Sequence, residues 1–360
     1  MKSSKDTNKI KIYKRGILCG YLFRRNDGGA EFTYDESYLA ESQTLDLCFN
    51  MKKRKEPYIQ HGVNLHPYFA GLLPEGLRLK YLVQRVKTSS DDLFSLFASI
   101  GHDCVGDVYA HSGKAAITPD LKEIPKWNEI NFYDFFLSTL AEDSDQSEFA
   151  GIQEKISASM ISLHITAEKK GASILKLNPK DKENLVYNEW ACLTQEDLCQ
   201  ALNLFPSEKY RVSLKDIVYA IQKYSTAPLI EVYNLLKQII FSYLIGNGDM
   251  HAKNISLTES PTTGHIGLTP AYDLICTLIY GDTKMALKLD AKDSNLKRRD
   301  IIIFGLRFGL SRDAIESMMD DLLYNFNLNH HILFSIPMTD QKSNFLSNEI
   351  ISRINALSID

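Results

Sequence analysis

The spacing of apolar residues changes along the chain, from a β-type pattern near the N-terminus to a helical pattern in the second half. Residues 9–35 contain short apolar runs separated by the turn segment 26–29, whose Asn-Asp-Gly-Gly sequence accepts positive φ and favours a β-hairpin. Apolar residues between Ile230 and Leu244 recur with the helical period, and the tail from Ser311 onward repeats this pattern. We therefore predict an α+β fold in which a sheet precedes a mainly helical part.

A chain of 360 residues is too long for one ordinary hydrophobic core, so we expect two or three structural units. The order of predicted elements gives a β-rich N-terminal subdomain (1–112), a small α+β portion with one lysine-bearing strand (113–205) and a mainly helical part (206–360). Two unequal lobes with a nucleotide between them are typical of protein kinases, so the expected architecture is bilobal and kinase-like.

The overall charge argues against nucleic acid as a direct partner. The formal net charge is −4 and the pI is about 6.2, so no global attraction to a phosphate backbone exists. The basic run 52–55 is either a solvated loop or a local DNA contact. A polar N-terminus and the lack of an apolar run of about 18 residues argue against a signal peptide or a membrane span. Six scattered cysteines without a C-x-x-C pair indicate reduced thiols, and we expect a cytoplasmic protein.

The stretch 246–254 concentrates more reactive groups than a turn requires, because it holds a carboxylate, an imidazole, an ammonium and an amide. Asp249 and Asn254 have the spacing of a kinase catalytic loop, in which the Asp accepts the proton of the acceptor hydroxyl and the Asn helps to hold magnesium. His251 is expected to order the loop or to pair with Asp249, and Lys253 to offset phosphate charge. The alternative is an ordinary polar turn after a helix.

A second acidic candidate, Asp273, follows the apolar strand 266–268, as a metal-binding Asp of a kinase would. With Asp249 and Asn254 it supplies the hard oxygen ligands that suit Mg²⁺. An Asp that caps the next segment is the alternative interpretation.

Lys176 lies within the apolar run 173–177, which we predict to be a strand. A buried lysine needs an anionic partner, which the phosphates of ATP or Glu189 could provide. The alternative is a lysine whose head group reaches solvent from an edge strand. The chain contains no Walker sequence, no G-x-S-x-G elbow and no H-E-x-x-H helix, which weakens the hydrolase and metalloprotease interpretations.

Several segments, taken in order, resemble the HipA family of bacterial toxin serine/threonine kinases, and the resemblance runs through most of the chain. The segments that carry it are 72–76, 100–106, 150–155, 174–176, 249–254 and 271–273.

The resemblance implies a kinase that uses ATP and Mg²⁺. By it, Asp249 is the catalytic base, Asn254 and Asp273 bind magnesium, and Lys176 contacts ATP. The other residues expected at the ATP site are Gly151, Gln153, Lys155 and Glu189. Members of the family phosphorylate protein targets, with aminoacyl-tRNA synthetases as known cases. A HipB-like DNA-binding antitoxin restrains them, so DNA is an indirect partner and no membrane is involved.

The chain departs from the family pattern at two places. The position of a regulatory serine is occupied by Glu148, with Ser147 beside it, so autophosphorylation control is mimicked, lost or moved. At Leu193–Thr194 the strand-hinge-strand portion that receives the adenine is missing, so either the gene carries a deletion or the sequence omits residues. This junction motivates an alternative function, a catalytically inactive binding module that acts through an antitoxin, an operator complex or a target.

Overall fold

The structure of the chain is a computed structural model. It describes residues 8–62, 65–101, 104, 106–111, 122–123, 161–166, 172–177, 185–187, 194–260, 263–335 and 338–358. The chain folds into two compact units, Met1–Gln195 and Glu196–Asp360. The three-part division at 112/113 and 205/206 is finer than these two units and stays a prediction.

The first unit contains an antiparallel sheet with the strand order β4-β3-β2-β1-β5. Its strands are β1 (Lys9–Lys14), β2 (Ile17–Arg24), β3 (Ala30–Tyr34), β4 (Tyr58–Gln60) and β5 (Val108–His111). Ile10 and Ile12 are fully buried and alternate with lysines, so one face of β1 lies in the core. Gly28 has a φ of +84° in the turn between β2 and β3, which confirms the predicted hairpin.

Among the described residues of this unit, four helices accompany the sheet, and the second of them packs an aromatic side chain against it. They are α1 (Glu36–Ala40), α2 (Pro67–Gly71), α3 (Gly76–Val86) and α4 (Leu93–Ile100). The ring centroid of Phe69 lies 5.8 Å from that of Phe32 and 5.4 Å from that of Phe97. The polar run 89–92 and Gly101 predict the two ends of a helix here, and Asp92 does cap α4 by accepting a hydrogen bond from the backbone N–H of Ser95, while the helix ends at Gly101.

His66 makes the stability of this unit depend on pH. Its Nδ1 caps α2 by accepting a hydrogen bond from the backbone N–H of Tyr68 at 3.2 Å, and burial lowers the pKa of His66 to about 4. In the unfolded chain this pKa is about 6.5. The unfolded chain therefore binds a proton that the folded chain does not, and stability falls as the pH drops from about 6.5 to about 4.

We expect His66→Asn to flatten this pH dependence, because asparagine keeps a capping acceptor and does not titrate. The difference in the free energy of unfolding between the two proteins should change by at most about 1.4 kcal/mol per pH unit in this window. Urea unfolding between pH 4 and pH 7 measures it. Parallel pH profiles for the two proteins would contradict the assignment.

A second sheet in the first unit has the order β6-β7-β8-β9. Its strands are β6 (Lys122–Glu123), β7 (Ile161–Thr166), β8 (Ala172–Leu177) and β9 (Leu185–Tyr187). The predicted strand at 173–177 is confirmed as β8. Lys176 pairs with Ser162 on one side and Leu185 on the other, so its strand is not an edge strand. The sequence also predicts a helix over 132–140, a strand over 156–160 and a helix that begins at residue 188, and these segments lie outside the described residues.

The second unit combines a three-stranded sheet, of order β10-β11-β12, with helices. The strands are β10 (Thr194–Asp197), β11 (Ser256–Glu259) and β12 (Ile266–Leu268). The helices are α5 (Leu198–Ala201), α6 (Leu214–Tyr224), α7 (Pro228–Ile245), α8 (Arg298–Arg307), α9 (Arg312–Asn329) and α10 (Asp340–Ser358). Short 3₁₀ turns occur at Pro206–Glu208, Ala252–Asn254, Leu278–Tyr280 and His330–Ser335. The α+β class with a β-rich first part and a helical second part is thus confirmed.

Helix α7 leads the chain into the predicted catalytic loop. Most of its apolar residues from Val232 onward are buried, whereas Leu229 and Ile230 in the first turn are exposed, and the helix ends at Gly246, whose φ is +73°. The buried Arg353 of α10 donates a hydrogen bond to the carbonyl of Tyr243, and its guanidinium lies 4.7 Å from the centroid of that ring. These contacts fix the end of α7, and with it the start of the loop.

The structure also describes most of the cysteines and the basic run 52–55. Cysteines in the described residues are free, and Cys276 alone among them is partly exposed. In the basic run, Lys52 pairs with Asp46 at 3.1 Å and Arg54 lies 3.6 Å from the ring centroid of Tyr58, so these side chains make local surface contacts. Among the described helices, none is both long and apolar enough to cross a membrane.

Candidate active site

The loop between α7 and β11 folds back on Asp249. The carbonyl of Asp249 accepts hydrogen bonds from the backbone N–H of His251 and from the side-chain amide of Asn254, both at 2.8 Å. The backbone N–H of Asn254 in turn donates to the carbonyl of His251 at 2.9 Å. The five-residue spacing of Asp249 and Asn254 therefore has a structural use, because the amide closes the loop and fixes one residue relative to the other.

The Asp249 side chain is 37% exposed, so its carboxylate is accessible to solvent. Tyr210 donates a hydrogen bond from its hydroxyl to Oδ1 of Asp249 at 2.6 Å. His251 is buried, and its Nε2 lies 3.9 Å from the same oxygen. The rings of Tyr210 and His251 meet edge to face, with centroids 5.0 Å apart. The distance from Nε2 of His251 to Asp249 is longer than a hydrogen bond, and the role of His251 stays a prediction.

Hydrogen bonds join this loop to the segment that carries Asp273. The side-chain amide of Asn247 donates to the carbonyl of Asp273 at 3.2 Å. Asp273 has a φ of +55°, an uncommon backbone conformation for a residue other than glycine. Thr277 accepts from the backbone N–H of Gly248 at 2.9 Å, and a Cβ added to Gly248 would lie 2.5 Å from the Thr277 hydroxyl oxygen. The structure therefore brings the three acidic and amide candidates into two adjoining loops.

Tyr272 adds a second connection between these loops. Its hydroxyl donates to the carbonyl of Lys253 at 2.7 Å and lies 2.5 Å from the hydroxyl of Ser256. The neighbour of Asp273 in sequence is thus bound to the neighbour of Asn254. A displacement of either loop would move both.

The donor set suits a magnesium ion that also binds phosphate. The amide nitrogen of Asn254 is used by the carbonyl of Asp249, which leaves its Oδ1 as a hard oxygen ligand. Asp273 supplies a carboxylate. Mg²⁺ is usually held by one or two carboxylates together with substrate phosphates rather than by a cage of protein ligands. The described residues contain no cluster of three or more His, Cys, Asp or Glu side chains able to hold a metal.

The remaining predicted site residues are not placed in this site. For Lys176, the structure gives the position of its backbone in strand β8. The others lie outside the described residues, and they are Ser147, Glu148, Gly151, Gln153, Lys155 and Glu189. Their roles stay predictions.

Some hydrogen bonds in this site could not be predicted from the sequence. Tyr210 lies 39 positions before Asp249, in a segment without a recognisable motif. Asn247 was part of the polar loop, yet nothing in its position shows that its amide reaches Asp273. Such contacts depend on tertiary structure, and spacing along the chain carries no signal for them.

A β-rich first unit, a helical second unit and two joined acidic loops define a chain of the kinase-like class. A model of the HipA N-terminal domain matches residues 10–111, and a model of the HipA-like C-terminal domain matches residues 193–328. Together they cover well over half of the chain. The chain belongs to the HipA family.

Relatives and a solved structure agree with this membership. The proposed kinase Y4mE of Sinorhizobium fredii is 24% identical over 345 residues, covering 78% of this chain and 80% of that protein. The serine/threonine-protein kinase toxin HipA of Shewanella oneidensis is 21% identical, with shares of 78% and 80%. Shewanella oneidensis HipA, solved with HipB and operator DNA, superposes with a TM-score of 0.64 at 16% identity, covering 97% of each chain. The fold is therefore the HipA kinase-like fold.

The alignments also show that this chain is shorter inside the matched region. The alignment with Y4mE has 345 positions, whereas the 78% of this chain that it covers is about 281 of 360 residues. Many positions of that relative therefore have no counterpart in this chain. The alignment with Shewanella oneidensis HipA has 350 positions and also covers 78% of this chain. Many positions of that relative therefore have no counterpart in this chain either.

Proposed function

We propose that the chain is a HipA-like serine/threonine protein kinase that transfers the γ-phosphate of ATP to a cytosolic protein. The observation that carries the proposal is the connection of Asp249, Asn254 and Asp273. The Asn254 amide is bound to the carbonyl of Asp249, and the Asn247 amide to the carbonyl of Asp273. Phosphoryl transfer relies on positioning and charge neutralisation more than on covalent chemistry, so a pair of rigidly joined acidic loops suits it.

Asp249 is the general base in this proposal. The hydroxyl of a serine or threonine approaches its carboxylate and gives up its proton as the oxygen forms a bond to the γ-phosphorus. The bond from that phosphorus to the bridging oxygen breaks, and ADP leaves with the electron pair. His251 orders the loop, and Lys253 offsets charge on the phosphates.

Asn254 and Asp273 would hold Mg²⁺, which neutralises charge on the transferred phosphoryl group when bound. Lys176 would contact the phosphates of ATP from strand β8. The other residues proposed for the ATP site are Gly151, Gln153, Lys155 and Glu189.

We expect Asp273→Asn to weaken the binding of Mg·ATP by roughly tenfold or more, because one carboxylate ligand loses its charge. Calorimetric titration of ATP in the presence of Mg²⁺ measures the affinity. Asp321→Asn is the control, since this carboxylate lies on the exposed face of α9. Equal affinities for the wild type and Asp273→Asn would remove Asp273 from the metal site.

The partners follow from family membership. The solved Shewanella oneidensis HipA is in complex with HipB and operator DNA. We infer that a HipB-like antitoxin restrains this chain in the cytoplasm and that DNA is reached through the antitoxin. An aminoacyl-tRNA synthetase is the proposed class of target. Ser147 or Glu148 would take the regulatory position before the 150–155 segment.

A second candidate function is a HipA-like binding module without phosphoryl transfer. The observation that favours it is the short connection between β9 and β10, which consists of residues 188–193. An average strand alone takes about five or six residues, so this connection is too short for two strands and a hinge. The gaps in both alignments agree with a shortened chain. Absence of Mg·ATP binding in the titration above would favour this candidate over the kinase.

A further inference from the structure

We propose that Tyr210 is a positioning residue that orients the Asp249 carboxylate toward the acceptor hydroxyl. The inference rests on the proposed kinase function and assigns a role to a residue outside the catalytic loop. Its basis is the 2.6 Å hydrogen bond from the Tyr210 hydroxyl to Oδ1 of Asp249.

The two carboxylate oxygens of Asp249 have different surroundings. Oδ1 accepts from Tyr210 and has Nε2 of His251 at 3.9 Å. Within the described part of the chain, no hydrogen bond reaches Oδ2. A carboxylate torsion is broad when nothing holds it, and this side chain is 37% exposed. The phenol therefore selects one orientation and leaves Oδ2 available to an incoming hydroxyl.

Tyr210 is itself attached to the catalytic loop. The backbone N–H of Ala252 donates to the carbonyl of Lys209, the residue before Tyr210, at 3.2 Å. The Tyr210 ring packs edge to face on the buried ring of His251. A backbone bond and a ring contact thus fix the phenol relative to Asp249. This contact gives His251 its part in ordering the loop, because the imidazole supports the tyrosine that holds the base.

The hydrogen bond from Tyr210 to Asp249 affects the proton-transfer step and not the binding of ATP or of the protein acceptor. The acceptor proton moves to Oδ2 of Asp249 while the acceptor oxygen bonds to the γ-phosphorus and ADP departs with the electrons of the broken bond. Tyr210 keeps its proton throughout and touches neither acceptor nor nucleotide. Without its hydroxyl, the carboxylate adopts the competent orientation for a smaller fraction of the time. The loss therefore falls on kcat and not on KM.

Tyr210→Phe tests this, because phenylalanine keeps the ring on His251 and removes the donor. A hydrogen bond to a charged group corresponds to a kcat reduced about tenfold or more, with KM for ATP and for the protein acceptor within about twofold. Tyr219→Phe is the matched control. Tyr219, on α6, is equally exposed, at 50% against 51%, and packs edge to face on Phe308 at the end of α8. Its kcat should equal that of the wild type.

Two further measurements separate positioning from a general structural effect. In an Asp249→Asn background, Tyr210→Phe should cause no additional loss, because the two residues act as a unit. In the ligand-free protein, 3-fluorotyrosine at position 210 should give a ¹⁹F resonance that shifts with Asp249→Ala, whereas the same label at position 219 should not respond.

The outcomes also distinguish this inference from the proposed function. An unchanged kcat in Tyr210→Phe, a raised KM as its main effect, or an equal loss in the Asp249→Asn background would overturn the positioning role while the kinase stands. A wild-type protein that transfers no phosphate would overturn both.

Discussion

Asp249→Asn is expected to reduce phosphoryl transfer by about 10²- to 10⁴-fold, the range that general base catalysis contributes. Asparagine has nearly the same shape as aspartate, but it cannot take the proton of the acceptor hydroxyl. Its side-chain oxygen can still accept from the Tyr210 hydroxyl, and its carbonyl from the Asn254 amide, so the loop should keep its structure. Steady-state rates of ADP formation with a protein acceptor measure the effect.

Two comparisons make this result specific. Calorimetric affinity for Mg·ATP should stay close to that of the wild type, because Asp249 acts on the acceptor and not on the nucleotide. Asp321→Asn, on the exposed face of α9, should retain the wild-type rate. An Asp249→Asn protein with at least a tenth of the wild-type rate would show that another group removes the proton.

Gly246→Ala is expected to destabilise the protein by about 3 kcal/mol and to reduce activity with it. Gly246 ends α7 with a φ of +73°, and an added Cβ would lie 2.3 Å from Cδ1 and from Cγ of Leu278. The left-handed conformation costs an alanine about 1 kcal/mol or more, and overpacking costs typically about 1–3 kcal/mol. Relief requires movement of the loop that begins at this residue. Urea unfolding measures the stability change.

Gly264→Ala separates the two contributions in Gly246→Ala. Gly264 has a similar φ of +65°, and an added Cβ there meets no atom of the described residues within 4 Å. We expect it to lose about 1 kcal/mol from backbone strain alone and to keep the wild-type rate of transfer. If both alanine variants lost the same stability, the contact with Leu278 would have no energetic role.

Local patterns were sufficient for most of the fold. The helical period between Ile230 and Leu244 predicted α7, which extends over Pro228–Ile245. The turn residues 26–29 predicted the first hairpin, because positive φ at a glycine is decided within the turn itself. Asp92 marked the start of α4 through its side-chain cap, and Gly101 marked its end, where it has a φ of −59°. These features depend on neighbours in sequence, which is why the sequence reveals them.

The sequence predicts which reactive groups form the candidate site, but not the hydrogen bonds that join them. The spacing of Asp249 and Asn254 pointed to the loop, and the structure shows the amide of one bound to the carbonyl of the other. The hydrogen bonds from Tyr210 to Asp249 and from Asn247 to the carbonyl of Asp273 join residues 39 and 26 positions apart in the chain. No periodicity or motif encodes contacts of this kind.

Transfer of labelled phosphate from ATP to protein tests the proposed kinase most directly. The measurement follows γ-labelled ATP and Mg²⁺ incubated with the wild-type chain or with Asp249→Asn, in the presence of bacterial cytosolic proteins. We predict that the wild type labels serine or threonine in a protein target and that Asp249→Asn does not. Equal labelling by the two proteins, or no labelling by either, would contradict the assignment of Asp249 as the base of a protein kinase.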